Sequence, residues 1–166
     1  AAAFRVSHAE AGAMDPQQRL MLEATALAMR DAGMRSTVHH SCSDLIEAGE
    51  VGVFVGFMSS DKMMSEVNAE NTIFSAASSS HSAAAGRVSF VFGFEGPCVA
   101  YDTACSSSIV AMHAAMRALT NGDTDLAVVL SASAFNGSCN LLAIVSARIT
   151  SPTGRCHTFD ASADGY

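Results

Sequence analysis

The residues most open to chemical reading are Val99-Ala100-Tyr101-Asp102-Thr103-Ala104-Cys105-Ser106-Ser107-Ser108. A short apolar run ends there at a cysteine among small residues, and Ile109-Val110-Ala111-Met112-His113 opens a helix-patterned segment at once. That spacing predicts a thiol on a sharp strand-to-helix turn, as in a nucleophile elbow. Ala104, Ser106, Ser107 and Ser108 are too small to shield Cys105, so another molecule can approach it closely. The thiol faces the start of a helix, whose unpaired N–H groups and positive dipole end favour the thiolate, the nucleophilic form. No formal charge lies between Thr103 and Met116, so the dipole acts in an apolar setting, where burial opposes it.

The other cysteines, Cys42, Cys98, Cys139 and Cys156, lack this setting and read as small packed hydrophobes. A hydrolase-type dyad would need a histidine beside the thiol as general base. His113 lies eight residues beyond Cys105, about two helical turns up the same helix and out of direct reach. His39 and His40 read as solvated in a loop. The local pattern supports a nucleophile and does not supply its partners.

The elements that must position this turn are legible nearby. Asp15-Pro16-Gln17-Gln18 reads as a helix start, with Asp15 as cap, Pro16 at the first helical position and Gln18 completing a capping box. Leu20, Ala24, Leu27 and Ala28 continue it at helical spacing until Gly33. Residues 34–50 read as a loop, 51–57 as a buried strand and 58–77 as irregular. A Ser/Ala-rich helix over 78–92 follows, in which Ala83, Ala84, Ala85 and Gly86 allow close approach to neighbours. Residues 98–103 read as a strand, 105–119 as a helix stopped by Asn121-Gly122, 125–131 as a strand and 139–147 as a short helix before a turn-rich tail. Strands apolar on both faces and alternating with helices argue for a layered α/β sheet covered by helices.

Composition narrows the function classes. The 166 residues are 49% hydrophobic and only 15% charged, against about 25% charged in a typical soluble domain. No apolar run approaches the roughly 20 residues of a bilayer span, so the chain reads as a soluble piece whose buried faces belong to something larger. A net charge of −7, with Lys62 the sole lysine, argues against a nucleic-acid surface. Five cysteines without a C-x-x-C pair or a secretory signal argue against a disulfide framework or zinc site. They favour the cytoplasm or another reducing compartment. The ends, Ala1-Ala2-Ala3-Phe4 and Asp164-Gly165-Tyr166, read as those of a single partial domain, 1–166, cut on both sides.

Several motifs occur together in order: Asp15-Pro16-Gln17-Gln18-Arg19-Leu20, Ala84-Ala85-Gly86-Arg87-Val88-Ser89, Gly96-Pro97, Asp102-Thr103-Ala104-Cys105-Ser106-Ser107-Ser108, and Gly154-Arg155-Cys156-His157-Thr158-Phe159-Asp160-Ala161-Ser162-Ala163-Asp164-Gly165-Tyr166. With these the chain resembles the β-ketoacyl synthase (ketosynthase) domain of modular type I polyketide synthases, mainly its N-terminal half. The resemblance implies a thiolase-like fold, a five-layered αβαβα sandwich of two similar halves, of which about the first is present here, and a homodimer. It implies that Cys105 accepts an acyl chain as a thioester from the phosphopantetheine arm of an acyl carrier protein. A malonyl-type extender then decarboxylates, and its carbanion attacks that thioester in a Claisen condensation. The Cys105 N–H would form part of the oxyanion hole. No bound cofactor and no metal is implied, and neighbouring polyketide synthase domains are the expected partners.

The family's two histidines and lysine for decarboxylation come from its C-terminal half, and no position here matches their motifs. The chain by itself is therefore expected not to condense. Ile144-Val145-Ser146-Ala147-Arg148 stands where the family usually has a Phe-Ser-Lys-Ala-Arg-like run, so Ile144 replaces an aromatic. Ala104, Met58 and Ile144 are the expected lining of the acyl channel, each also readable as plain core. Arg155, Asp160 and Asp164 read as residues that fix a turn-rich segment by hydrogen bonds. A fatty-acid-type β-ketoacyl synthase, a non-catalytic ketosynthase-like docking or chain-length partner, and a cysteine hydrolase are the alternatives. The tail 154–166 favours the polyketide version, and the intact cysteine argues against the non-catalytic one.

Overall fold

The computed structural model describes residues 2–34, 50–58, 73–78, 80–134 and 138–166. They fall into two compact units, the first made of the described residues up to 134 and the second of residues 138–166. Residues 35–49 of the loop read at 34–50 and most of the irregular stretch 58–77, with Met63 and Met64, lie outside the described residues. So do Cys42 and the His39-His40 pair.

In the first unit, α1 (His8–Ala13) and α2 (Pro16–Asp31) precede strand β1 (Val51–Gly56). A one-turn helix α3 (Ser75–Ser78) leads into α4 (His81–Phe92), which Gly93 ends in the left-handed conformation at φ 71°. Strand β2 (Cys98–Tyr101), helix α5 (Ser107–Asn121) and strand β3 (Leu126–Ser131) complete the unit, with Gly122 closing α5 at φ 77°. The strands form one parallel sheet in the order β2-β1-β3. A parallel sheet needs a crossover between neighbouring strands, and α4 and α5 supply helices for them.

β1 is buried along its whole length because each face is covered. Val51, Val53 and Val55 belong to a core shared with Met21, Leu22 and Met29 of α2 and Ala84, Ala85, Val88, Val91 and Phe92 of α4. Phe54 alternates to the other face and meets Ala111, Ala115 and Ala118 of α5. Burying Phe54 alone stabilises this layer by about 1.5–3 kcal/mol. The opposite stripe of α5 is open to solvent at Ile109 (64%), Met112, Met116 (60%) and Leu119. An exposed apolar stripe of this kind marks a surface that another body can cover.

Two local expectations fail. Asp15 caps α2 as expected, accepting the Gln17 N–H at 2.7 Å, but Gln18 completes no capping box. The Asp15 N–H goes instead to Ser78 O at 2.9 Å. The buried Gln18 side chain donates to Ala77 O at 3.0 Å and Ser80 O at 3.4 Å, and accepts from Arg87 Nε at 3.2 Å. Arg87 also pairs with Glu10 of α1, so one side-chain network ties α1, α2 and α4. Tertiary partners displace a purely local hydrogen bond. In α4, Ala84 and Ala85 are buried as expected, yet a Cβ built on Gly86 meets no described atom within 4 Å. The close approach rests on the alanines alone.

In the second unit α6 (Ser138–Ser146) leads to a tail of turns, pinned where the Ser151 N–H donates to Tyr166 O and the Tyr166 N–H to Ile149 O, at 2.9 and 3.1 Å. Asp160 fixes its turn by accepting from Ser162 Oγ at 2.6 Å and Ser162 N–H at 2.8 Å, in line with the structural role read for it.

Candidate active site around Cys105

β1 and β2 end at the same edge of the sheet, Gly56 facing Tyr101 in register, and β3 ends there at Ser131. The carboxyl edge of a parallel sheet is where ligands of α/β folds bind, because the loops that leave the strands converge there. Cys105 stands just beyond that edge. It is exposed, in a 3-10 turn spanning Ala104–Ser106, two residues before Ser107 opens α5. The α-helix therefore starts later than the expected 105, and a tighter turn intervenes.

The sequence of this turn explains its shape. Ala104 adopts φ 54°, a left-handed conformation that costs a non-glycine residue about 1–2 kcal/mol. Asp102 Oδ1 accepts the Ala104 N–H at 3.1 Å, closing an Asx turn. Ser107 Oγ donates to Ala104 O at 2.7 Å and accepts the Thr103 N–H at 2.9 Å, so one buried hydroxyl clasps both sides of the turn. Ser106 Oγ donates to Thr103 O at 2.8 Å and lies 2.9 Å from Thr103 Oγ1. The N–H groups of Thr103, Ala104, Ser106 and Ser107 are the donors that shape the turn, and that of Cys105 is not among them.

Gly56 sets how closely β1 and this turn approach. A Cβ there would lie 2.5 Å from Ser107 C and 2.8 Å from Ser108 N, so only glycine fits beneath the first turn of α5. Behind the turn, His81 Nε2 at the start of α4 lies 3.5 Å from Asp102 Oδ2. The His81 ring rests on buried Phe57, with centroids 4.5 Å apart and planes at 35°. At 3.5 Å the contact with Asp102 is a close approach and not a formed hydrogen bond. His81 Nε2 is correspondingly a buried polar atom without a hydrogen-bond partner among the described residues.

Of the expected channel residues, Ala104 adjoins Cys105 and shapes its turn. Met58 is exposed two residues past β1, at the same carboxyl edge of the sheet. Ile144 is half-buried on α6 in the second unit. Cys98 and Cys156 are exposed thiols without a strand-to-helix turn around them. Sequence reasoning missed Gly56, Ser107 and the contact between His81 and Asp102. The run of serines after Cys105 was a signal for the second, whereas the first and third pair residues far apart in the chain. Among the described residues no group of three or more His, Cys, Asp or Glu could hold a metal ion, and no helix is long and apolar enough to cross a membrane.

A cysteine presented on a constrained turn at the carboxyl edge of a helix-covered parallel sheet is an arrangement suited to a nucleophile. The sequence profile of the family described as "Beta-ketoacyl synthase, N-terminal domain" matches residues 1–166, and the chain belongs to that family. It is 41% identical over 165 residues to highly reducing polyketide synthase 19 of Pyricularia oryzae. It is 37% identical over 164 residues to the orsellinic acid synthase of Beauveria bassiana. Each alignment takes in 98% of this chain and 6% or 7% of the relative, so the chain spans a small part of their length. Among solved structures, the ketosynthase from module 6 of the Bacillus subtilis bacillaene synthase matches with TM-score 0.80 and 30% identity over 98% of this chain and 26% of that one. The oxazolomycin ketosynthase domain of Streptomyces albus matches with TM-score 0.78 and 32% identity over 98% of this chain and 28% of that one. The expected thiolase-like ketosynthase fold is therefore the fold of this chain, which carries part of it.

Proposed function

We propose that Cys105 is the acyl-accepting nucleophile of a β-ketoacyl synthase acting in polyketide assembly. Cys105 Sγ attacks the carbonyl carbon of an acyl thioester on the phosphopantetheine arm of an acyl carrier protein. The new C–S bond forms as the phosphopantetheine sulfur leaves and takes up the proton. A malonyl-type extender on a carrier protein then loses carbon dioxide. The electron pair left on its α-carbon attacks the Cys105 thioester, giving a β-ketoacyl product and releasing the cysteine. Splitting the reaction in this way is the logic of covalent catalysis and gives ping-pong kinetics.

The observation that carries this reading is the exposed Cys105 on a turn held by Asp102 and Ser107. The Cys105 N–H, outside the donors that shape the turn, suits one half of an oxyanion hole, and such a donor is worth about 2.7–4 kcal/mol of barrier. By the resemblance, the decarboxylating histidines and lysine belong to the complementary half of the domain, whose packing would cover the open stripe of α5. Carrier protein, neighbouring synthase domains and a second copy are the partners this reading calls for.

The test is condensation by the intact synthase, supplied with an acyl group and a malonyl-type extender on carrier protein. Wild type should release β-ketoacyl product and Cys105→Ala should release none. Product at the wild-type rate from Cys105→Ala overturns the proposal.

A further inference from the structure

The contact between His81 and Asp102 spans two elements and ends on the cysteine turn. Asp102 uses its two carboxylate oxygens differently. Oδ1 accepts the Ala104 N–H at 3.1 Å, and Oδ2 lies 3.5 Å from His81 Nε2. Ala104 is the left-handed residue that aims Cys105, so whatever fixes Asp102 bears on the direction of the thiol. Asp102 itself is largely exposed and, bonded only through its local turn, would be free to swing into solvent. His81 is the more constrained of the two: its ring lies on Phe57, which is buried at the end of β1. A buried nitrogen without a hydrogen-bond partner costs free energy, and moving a few tenths of an ångström toward Asp102 would satisfy it.

We propose that His81 is a positioning residue for the nucleophile: through Nε2 it restrains the Asp102 carboxylate, which holds Ala104 left-handed and so keeps Cys105 aimed at an incoming acyl group. The proposal rests on the reading of Cys105 as the acyl acceptor, although the restraint itself is a property of the turn. His81 does not touch the reacting atoms. Its effect is therefore expected on the rate at which Cys105 reacts, with the apparent KM for carrier-bound substrate little changed.

The experiment uses the intact synthase and two readouts on each variant. One is the rate of Cys105 acylation by a carrier-bound thioester. The other is the rate of Cys105 alkylation by iodoacetamide, measured against exposed Cys98 in the same molecule by peptide mass mapping. His81→Ala and Asp102→Asn should each slow acylation by about tenfold, the scale of a sub-ångström misplacement of a reacting atom. Both should slow alkylation of Cys105 relative to Cys98. Asp102→Asn keeps an acceptor for the Ala104 N–H, so it tests the contact with His81 even if His81→Ala folds poorly. His81→Gln, which retains a donor, should recover most of the rate. The two slow variants combined should be no slower than either alone, because both break one contact.

Unchanged Cys105 rates in His81→Ala and Asp102→Asn overturn the proposal, as do losses that simply multiply. If wild-type Cys105 takes up no acyl group while the alkylation ratios change as stated, the acyl-transfer reading fails and the positioning role stands. If acylation proceeds normally and neither variant alters it, the positioning role fails and the acyl-transfer reading stands.

Discussion

Replacing Gly56 by alanine probes how the sheet aims the nucleophile. The added Cβ would lie 2.5 Å from Ser107 C, against about 3.4 Å for ordinary contact, so something must move by 3.4 less 2.5, or 0.9 Å. The atoms it meets are backbone, in the first turn of α5, and cannot rotate away as a side chain would. Overpacking of this kind costs about 1–3 kcal/mol. In a domain of this size that lowers the thermal midpoint by roughly 2–12 °C. The larger effect is kinetic. Ser107 clasps the turn that carries Cys105, so a shift of its backbone carries the thiol along, and misplacement by about 1 Å can slow a reaction 10²-fold. The assay is thermal unfolding together with single-turnover acylation of Cys105. Gly52→Ala serves as control for overpacking at the far end of β1: its Cβ meets the ring of buried Phe54 at 2.8 Å and Oγ1 of buried Thr124 at 3.2 Å. It should lower stability and slow acylation far less than Gly56→Ala does. Wild-type stability and acylation in Gly56→Ala would refute the close approach of strand and turn on which this reasoning rests.

Two further outcomes are expected. Gly86→Ala, inside α4 with no described atom near the new Cβ, should raise stability by about 0.5–1 kcal/mol through lost chain freedom in the unfolded state, read as a higher thermal midpoint. Asp160 should titrate below the usual carboxylate range, because the Ser162 hydroxyl and then the Ser162 N–H bond its charged form. A carboxyl depressed in the folded state stabilises at pH values above its unfolded pKa, and that contribution fades as the pH falls through the folded value. An NMR titration of the Asp160 side chain should show this, and Ser162→Ala should move the midpoint upward.

The parts of this fold that could be read from the residues are those set locally. Asp15-Pro16 marks the start of α2, Gly122 ends α5 in the left-handed conformation, and the apolar runs at 51–56 and 126–131 are strands of a parallel sheet. Cys105 stood out for the same reason: an abrupt change from strand to helix pattern amid small side chains is visible in a dozen residues. What was misread depends on contacts across the chain. Gln18 looked like half of a capping box, and Arg87 and the 77–80 backbone claimed its amide instead. The 3-10 turn before α5 follows from a left-handed Ala104, and alanine gives no warning of that conformation. His81 carried no spacing that linked it to Asp102, because the sheet and α4 bring the two together.

Which sulfur receives the acyl group decides whether the chemistry proposed for this chain holds. Peptide mass mapping of the intact synthase, quenched shortly after mixing with a carrier-bound acyl thioester, answers this directly. The added mass should sit on the peptide containing Cys105 and vanish in Cys105→Ala. Acylation of Cys98 or Cys139 with Cys105 unmodified would contradict the assignment.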